Sequence, residues 1–349
     1  MPRVAGMDPG TLTLDVCVLD DGRLVAERSW RTEEAIAAPG TVAAWLAKHW
    51  PALVAAPSGY GLPLVRADRA TDEDWRLAFL AAPGEEGGIG GLRGLVRALV
   101  EASLPLVFLP GVVHLDTVPR HRKLNRVDLG TADKVCAAAV AIREAADAAG
   151  SCEKDASLIL LEIGGAFTAA LAVEAGRIVD GLGGTSGPPG WRSGGAWDGE
   201  VAFLAGSVSK AMLFQGGLET IVAADPRLEA TARAAIVEGA AKAVCALGLS
   251  APRARRVVVS GRHAADAGLI AELRDRLGSD TEVTPLRGFA AVKHAAQGAA
   301  LLADGLAGGP QSELVDTMRI RHAGGTVLEH LFSVPAATAR RRLGLDRGA

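Results

Sequence analysis

The sequence predicts an α/β protein made of two copies of one β-meander domain facing each other across a cleft. Three observations carry this reading: an internal repeat, an alternation of apolar strands with long helical segments, and a composition that suits two cores. The chain has 349 residues, of which 49% are hydrophobic, enough for two domains. Aromatic residues make up only 4% while glycines number 43, so packing must rely on small side chains and close contact between elements. The formal net charge of −3 creates no overall field toward nucleic acid or an anionic membrane surface.

The repeat orders the rest. Residues 8–25, DPGTLTLDVCVLDDGRLV, lie over residues 162–179, EIGGAFTAALAVEAGRIV, without a gap. Asp8 meets Glu162, Gly10 meets Gly164, Asp20 meets Glu174, Gly22 meets Gly176 and Arg23 meets Arg177. Each copy reads as a strand, an acid-Gly turn, an alternating strand, a Gly-Arg turn and a third strand. Any two β-meanders resemble each other, but here both acids and both glycine turns coincide in register, which favours duplication. Glycine in such a turn lets a phosphate approach the backbone closely, which marks Gly10, Thr11, Gly164 and Gly165. Carboxylates suit a partly hydrated Mg²⁺, which marks Asp8 and Glu162. The two acidic hairpins are expected to face one cleft.

Beyond the hairpins, the apolar runs Leu53–Ala56, Leu106–Leu109, Leu158–Leu161 and Val257–Val259 read as strands. Helical segments run from about Ala132 to Ala149, with Thr131 as N-cap and Gly150 just past the end, from about Arg227 to Leu247, and near Ala290–Ala303. A meander followed by α/β crossovers therefore occurs twice. The small polar stretch around 150–156 sets the boundary, giving lobes 1–152 and 153–349. Residues 254–275, ARRVVVSGRHAADAGLIAELRD, read as a buried strand, a Ser260-Gly261-Arg262 turn and a helix. A glycine there lets a flat ligand lie on the backbone, as a nucleoside site requires.

Other features bound the function. Cys17, Cys136, Cys152 and Cys245 form no C-x-x-C pair and read as reduced thiols rather than a zinc site or a disulfide framework. The start of the chain shows no signal-peptide pattern, and no uninterrupted apolar run spans a bilayer; the expectation is a cytoplasmic protein. Arg120, His121, Arg122, Lys123 and Arg126 form a basic cluster without interleaved aromatics. That argues against single-stranded nucleic acid and leaves a solvated loop or an electropositive cleft wall. Residues 181–199, GLGGTSGPPGWRSGGAWDG, combine glycines with Trp191 and Trp197, as an ordered loop over a ligand does. Tyr60, the only tyrosine, follows a strand among small residues and is either a substrate contact or a packing residue.

An acidic Gly hairpin, a second one, then strand-Ser-Gly-helix resembles the actin, hexokinase, Hsp70 and acetate kinase superfamily. Within it the chain looks most like the uncharacterised family labelled predicted butyrate kinase, over at least residues 4–305. The resemblance rests on Met7-Asp8-Pro9-Gly10-Thr11, on Pro57–Pro63 (PSGYGLP), and on Leu115–Lys123 (LDTVPRHRK). It continues through Gly130-Thr131-Ala132-Asp133-Lys134 and the glycine-rich run. It implies two RNase H-like domains around an interdomain nucleotide cleft. Against the acetate kinase branch, Leu115-Asp116-Thr117 resembles Phe-Asp-Thr, whose aspartate is catalytic, and Arg192-Ser193-Gly194 resembles Arg-Ser-Gly, whose arginine stabilises the transition state. Leu129 and Asp133 stand where that branch has histidines. Its carboxylate-binding His-Arg-Val-Val-His segment has no clear counterpart.

The function these readings imply is ATP- and Mg²⁺-dependent phosphoryl transfer to a small-molecule acceptor, a carboxylate among the candidates. Asp116 and Arg192 are the expected catalytic residues, and Ser260, Gly261 and Arg262 the expected adenosine site. Tyr60, Arg122, Lys123, Asp133 and Lys134 are the expected anion and substrate cleft. A nucleotide-dependent ATPase switch that binds a protein and a sugar-kinase-like enzyme are the alternatives. Nucleic acid and membrane are not expected partners, and a homodimer is left open.

Overall fold

The computed structural model describes residues 2–10, 12–57, 59–80, 82–84 and 89–345, with the backbone alone over 89–93. Thr11 and Ser58 therefore lie outside the described residues. Among the described residues eleven strands form two sheets. The first has the order β3-β2-β1-β4-β6-β5, with β1 Arg3–Pro9, β2 Thr13–Asp20, β3 Arg23–Arg31, β4 Leu53–Pro57, β5 Val65–Arg66 and β6 Leu106–Leu109. The second has the order β11-β10-β7-β8-β9, with β7 Leu158–Ile163, β8 Thr168–Glu174, β9 Arg177–Leu182, β10 Arg256–Ser260 and β11 Glu282–Pro285. In each sheet an antiparallel meander is extended by parallel strands beside its first strand.

The repeat is visible in the backbone itself. Asp8 pairs with Asp15, and Glu162 with Ala169, its counterpart. Gly10 N–H donates to the Thr13 carbonyl at 3.0 Å, and Gly164 N–H to the Phe167 carbonyl at 2.9 Å. The register shifts between Val18 and Leu19 in one copy and between Ala172 and Val173 in the other. The second turns match as well, with positive φ at Asp21 (53°) and Gly22 (70°) and at Ala175 (53°) and Gly176 (70°). Two successive left-handed residues give the tight turn whose twist suits a two-residue hairpin.

Small residues let the layers approach. The helices Ala132–Ala149 and His294–Leu306 share one buried cluster with both sheets, including Val4, Leu109, Cys136, Leu160, Leu171, Ala296 and Leu301. A Cβ on Gly298 would stand 1.8 Å from the Cys136 carbonyl oxygen, and one on Gly6 of β1 would stand 2.0 Å from the Ala300 nitrogen. The helix 294–306, late in the sequence, thus lies against the first sheet. Its start differs from the expected Ala290: residues 287–292 form a strap whose backbone is bonded by side chains, as described below. Thr131 does precede the helix 132–149, but its hydroxyl bonds the Asp133 carboxylate instead of capping the backbone; Gly150 ends the helix at φ 59°. No described helix is long and apolar enough to cross a membrane.

Candidate active site

The ends of β1 and β7 meet at the N-terminus of the helix 132–149, between the two sheets. Lys134, in the first turn of that helix, is the link. Its ammonium lies 2.5 Å from Asp133 Oδ2 and 2.8 Å from Glu162 Oε1. Burial alone would pull the Lys134 ammonium down; Asp133 and Glu162 outweigh it and hold it well above the ordinary lysine value. Asp133 is held below the usual carboxylate range, because Lys134 and the Thr131 hydroxyl outweigh burial.

Asp8, at the end of β1, is buried, and its carboxyl is pushed up to about 6 by that burial, against the pull of Lys293; Asp133 adds to the rise. The electrostatic contact of Asp8 with Asp133 and Lys134, and the ion pair of Lys134 with Glu162, bring both acidic hairpins to one place.

The glycines matter through what they lack. A Cβ on Gly10 would stand 2.3 Å from Lys293 Nζ, and one on Gly165 would stand 3.4 Å from Arg262 Cδ. The Ser260-Gly261-Arg262 turn follows β10 directly beside the second hairpin. Ser260 pairs with Glu162 across the parallel strands, and its hydroxyl lies 3.4 Å from Glu162 Oε2. Gly261 has φ 91°, and a Cβ there would stand 2.5 Å from the Ile163 carbonyl oxygen. It is therefore required by the backbone, whatever lies above it. Trp191 stacks on His263 at 3.6 Å between ring centroids and 14° between planes, which places one tryptophan of the glycine-rich run at this turn.

Arg192 is next to the second hairpin through its backbone: its N–H donates to Ala166 at 3.1 Å. Its guanidinium lies over Phe214 and 4.0 Å from Glu219, while Asp198 caps the helix Gly199–Ala205. Tyr60 lies near this group: burial and then Asp128 raise its phenol, Thr185 bonds it, and Lys210 lies 5.1 Å from its ring.

Three expected residues stand apart from this group. Asp116 pairs with Arg319, whose Nε is 3.0 Å from both carboxylate oxygens. Arg122 donates to the Val179 carbonyl at 2.8 Å and lies 3.6 Å from Asp180. Lys123 is buried and donates to the Leu115 carbonyl at 2.7 Å. The basic cluster thus ties the segment 115–123 to β9 and to itself. Among the described residues no hydrogen bond or ion pair joins Asp116, Arg122 or Lys123 to the Asp8–Lys134–Glu162 group. The expected roles of these three as catalytic acid and anion wall thus have no contact with that group among the described residues.

Three participants were missed from the sequence. Lys293 reaches Asp8 Oδ2 at 3.4 Å, Asp15 Oδ2 at 3.1 Å and the Thr13 carbonyl at 2.8 Å; a single lysine between Val292 and His294 gives no signal. Asp15, a buried acid in an apolar strand, was the available clue. Asp128 accepts from the Thr185 N–H and hydroxyl, both at 2.8 Å, and from Gly130 N–H at 3.2 Å, clasping the glycine-rich loop.

A family model described as "Protein of unknown function (DUF1464)" matches residues 6–333. The chain belongs to that family. None of the curated proteins matches it. Among solved structures, acetate kinase from Entamoeba histolytica superposes with a TM-score of 0.59 at 10% identity, over 81% of this chain and 96% of that one. A propionate kinase from Francisella tularensis subsp. tularensis SCHU S4 gives 0.60 at 12%, over 86% and 98%. Porphyromonas gingivalis acetate kinase gives 0.56 at 12%, again over 86% and 98%. At these identities the likeness is one of fold: this member of the family has the two-sheet α/β fold of these acetate and propionate kinases.

Proposed function

We propose that the protein transfers the terminal phosphoryl group of ATP to a small-molecule acceptor. The observation that carries this reading is the single cleft shared by two duplicated acidic glycine hairpins, with a strand-Ser-Gly-Arg turn beside the second. The fold it shares with acetate and propionate kinases supports it. Phosphoryl transfer needs positioning and charge neutralisation more than covalent help, and the cleft offers both. The adenosine lies on Ser260-Gly261-Arg262. The triphosphate crosses Gly164 and Gly165 toward Gly10. Lys134, locked between Asp133 and Glu162, fixes both lobes around it. Arg192 swings from Glu219 onto the moving phosphoryl group.

Mg²⁺ fits the residues present as a hydrated ion held mainly by phosphates. Among the described residues no three His, Cys, Asp or Glu side chains form a metal cage, and Mg²⁺ needs none when water and phosphate supply most ligands. Asp8, a buried carboxyl pushed up to about 6, gains from a cation brought with the nucleotide. When bound, that ion neutralises phosphate charge.

A carboxylate acceptor, already ionised at neutral pH, needs no general base. This agrees with Asp116 being engaged elsewhere, and it makes a short-chain carboxylate the acceptor class proposed here. Tyr60 at the cleft wall would contact it. The test is ADP release from ATP and Mg²⁺ with a panel of short-chain carboxylates, polyols and sugars. Release that rises more than tenfold with carboxylates alone supports the reading. A rise with sugars alone redirects the acceptor class, and slow release indifferent to every acceptor points to an ATPase switch.

A further inference from the structure

Lys293 is held in place by its surroundings. It ends a strap, residues 287–293, whose backbone is tied by three separate side chains. Glu144 accepts from the Arg287 and Gly288 N–H groups at 3.1 and 3.0 Å. Gln297 accepts from Phe289 N–H at 2.7 Å and donates to the Ala290 and Val292 carbonyls. Glu27 of β3 accepts from the Ala291 and Val292 N–H groups at 2.8 and 3.1 Å. At the end of this strap the ammonium meets three oxygens of the first hairpin, from Asp8, Asp15 and Thr13. It sits above Gly10, so close that a Cβ there would collide with it. Yet 40% of the Lys293 side chain stays exposed, against 11% for Asp8 and 6% for Asp15. The Lys293 side chain thus keeps an open part beside the two acids that its ammonium meets.

The layout says which phosphate it would meet, resting on the function proposed above. The Ser260-Gly261-Arg262 turn belongs to the second lobe, with Arg262 lying against Gly165. A triphosphate that starts there passes the second hairpin first and reaches the first hairpin with its terminal group. We propose that Lys293 is a catalytic residue, a built-in cation of the first hairpin that contacts the terminal phosphoryl group of ATP. Its charge stays on the hairpin whether or not nucleotide is bound, so no reorganisation is needed as charge develops.

Titration calorimetry with ATP, ADP and AMP on the full chain tests this. Lys293→Met is expected to weaken ATP at least tenfold while ADP and AMP stay within about threefold. Where acceptor-dependent turnover exists, it should fall by roughly a hundred- to a thousand-fold. Equal losses for ATP and ADP, or no loss for ATP, overturn the assignment and leave the proposed kinase intact. A wild-type chain that binds none of the three nucleotides overturns the kinase reading itself, and this inference with it. Removing a cation beside buried acids risks misfolding. The double variant Asp15→Asn, Lys293→Met avoids that by removing one charge of each sign, and is measured against Asp15→Asn alone under the same criteria.

Discussion

At the scale of single residues, the cleft trades stability for charge. Asp8 has its folded value raised to about 6 from 3.8. Its neutral form is therefore favoured in the fold. Below about pH 3 it is largely protonated in both states and costs nothing. As pH rises toward 6 and beyond, the unfolded chain loses that proton more readily, and stability falls by about 3 kcal/mol. Asp8→Asn is expected to unfold at a higher temperature than wild type at about pH 8 and at the same temperature at about pH 3, in thermal melts. An Asp8→Asn chain less stable than wild type at pH 8 would show that the carboxylate is a net support. Gly261 gives a second case. With φ 91° and the Ile163 carbonyl 2.5 Å from any Cβ, Gly261→Ala should lose roughly 2 kcal/mol or more. Urea unfolding reads this directly, and a variant of wild-type stability would refute the clash. Arg192→Lys should lose turnover roughly a hundred- to a thousand-fold with ATP affinity little changed, since an ammonium cannot bridge two phosphoryl oxygens. A single-turnover rate within about threefold of wild type would leave Arg192 as a loop residue.

Among the elements, the glycine-rich loop depends on one buried acid. Asp128 gathers three donors, and the Gly183 N–H bonds its carbonyl at 3.1 Å. Asp128→Ala leaves the Gly130 and Thr185 N–H groups and the Thr185 hydroxyl without their acceptor and should cost about 3 kcal/mol, with Tyr60 losing its neighbour as well. Denaturation at neutral pH checks it, and a loss below about 1 kcal/mol would contradict the clasp. This element was only half legible. Two tryptophans among glycines marked an ordered loop, but the likeness that picked out Leu129 and Gly130–Lys134 did not include Asp128, and its partner Thr185 lies far along the chain. The meanders were fully legible, because strand alternation and Gly turns are local. The three-residue likeness at Asp116 says nothing about Arg319, which pairs with it from the far end of the chain. Lys293 stayed hidden for the same reason: its place is set by the strap's contacts with Glu27, Glu144 and Gln297.

On the scale of the whole molecule, duplication explains the fold. Two sheets of matching order, with matching bulges and turns, present equivalent edges to one cleft, and close helix packing joins them. Gly298 allows the helices 132–149 and 294–306 to touch backbone to backbone; the low aromatic content seen in the sequence becomes this tight interface. The central claim is that the two acidic hairpins form one nucleotide site. A crystal structure with a non-hydrolysable ATP analogue and Mg²⁺ tests it most directly. The account predicts adenine on Ser260-Gly261-Arg262, the triphosphate running past Gly164 and Gly165, and its terminal group within hydrogen-bonding distance of Lys293 beside Gly10. A nucleotide bound anywhere outside that cleft, or a triphosphate that never reaches the first hairpin, would contradict it.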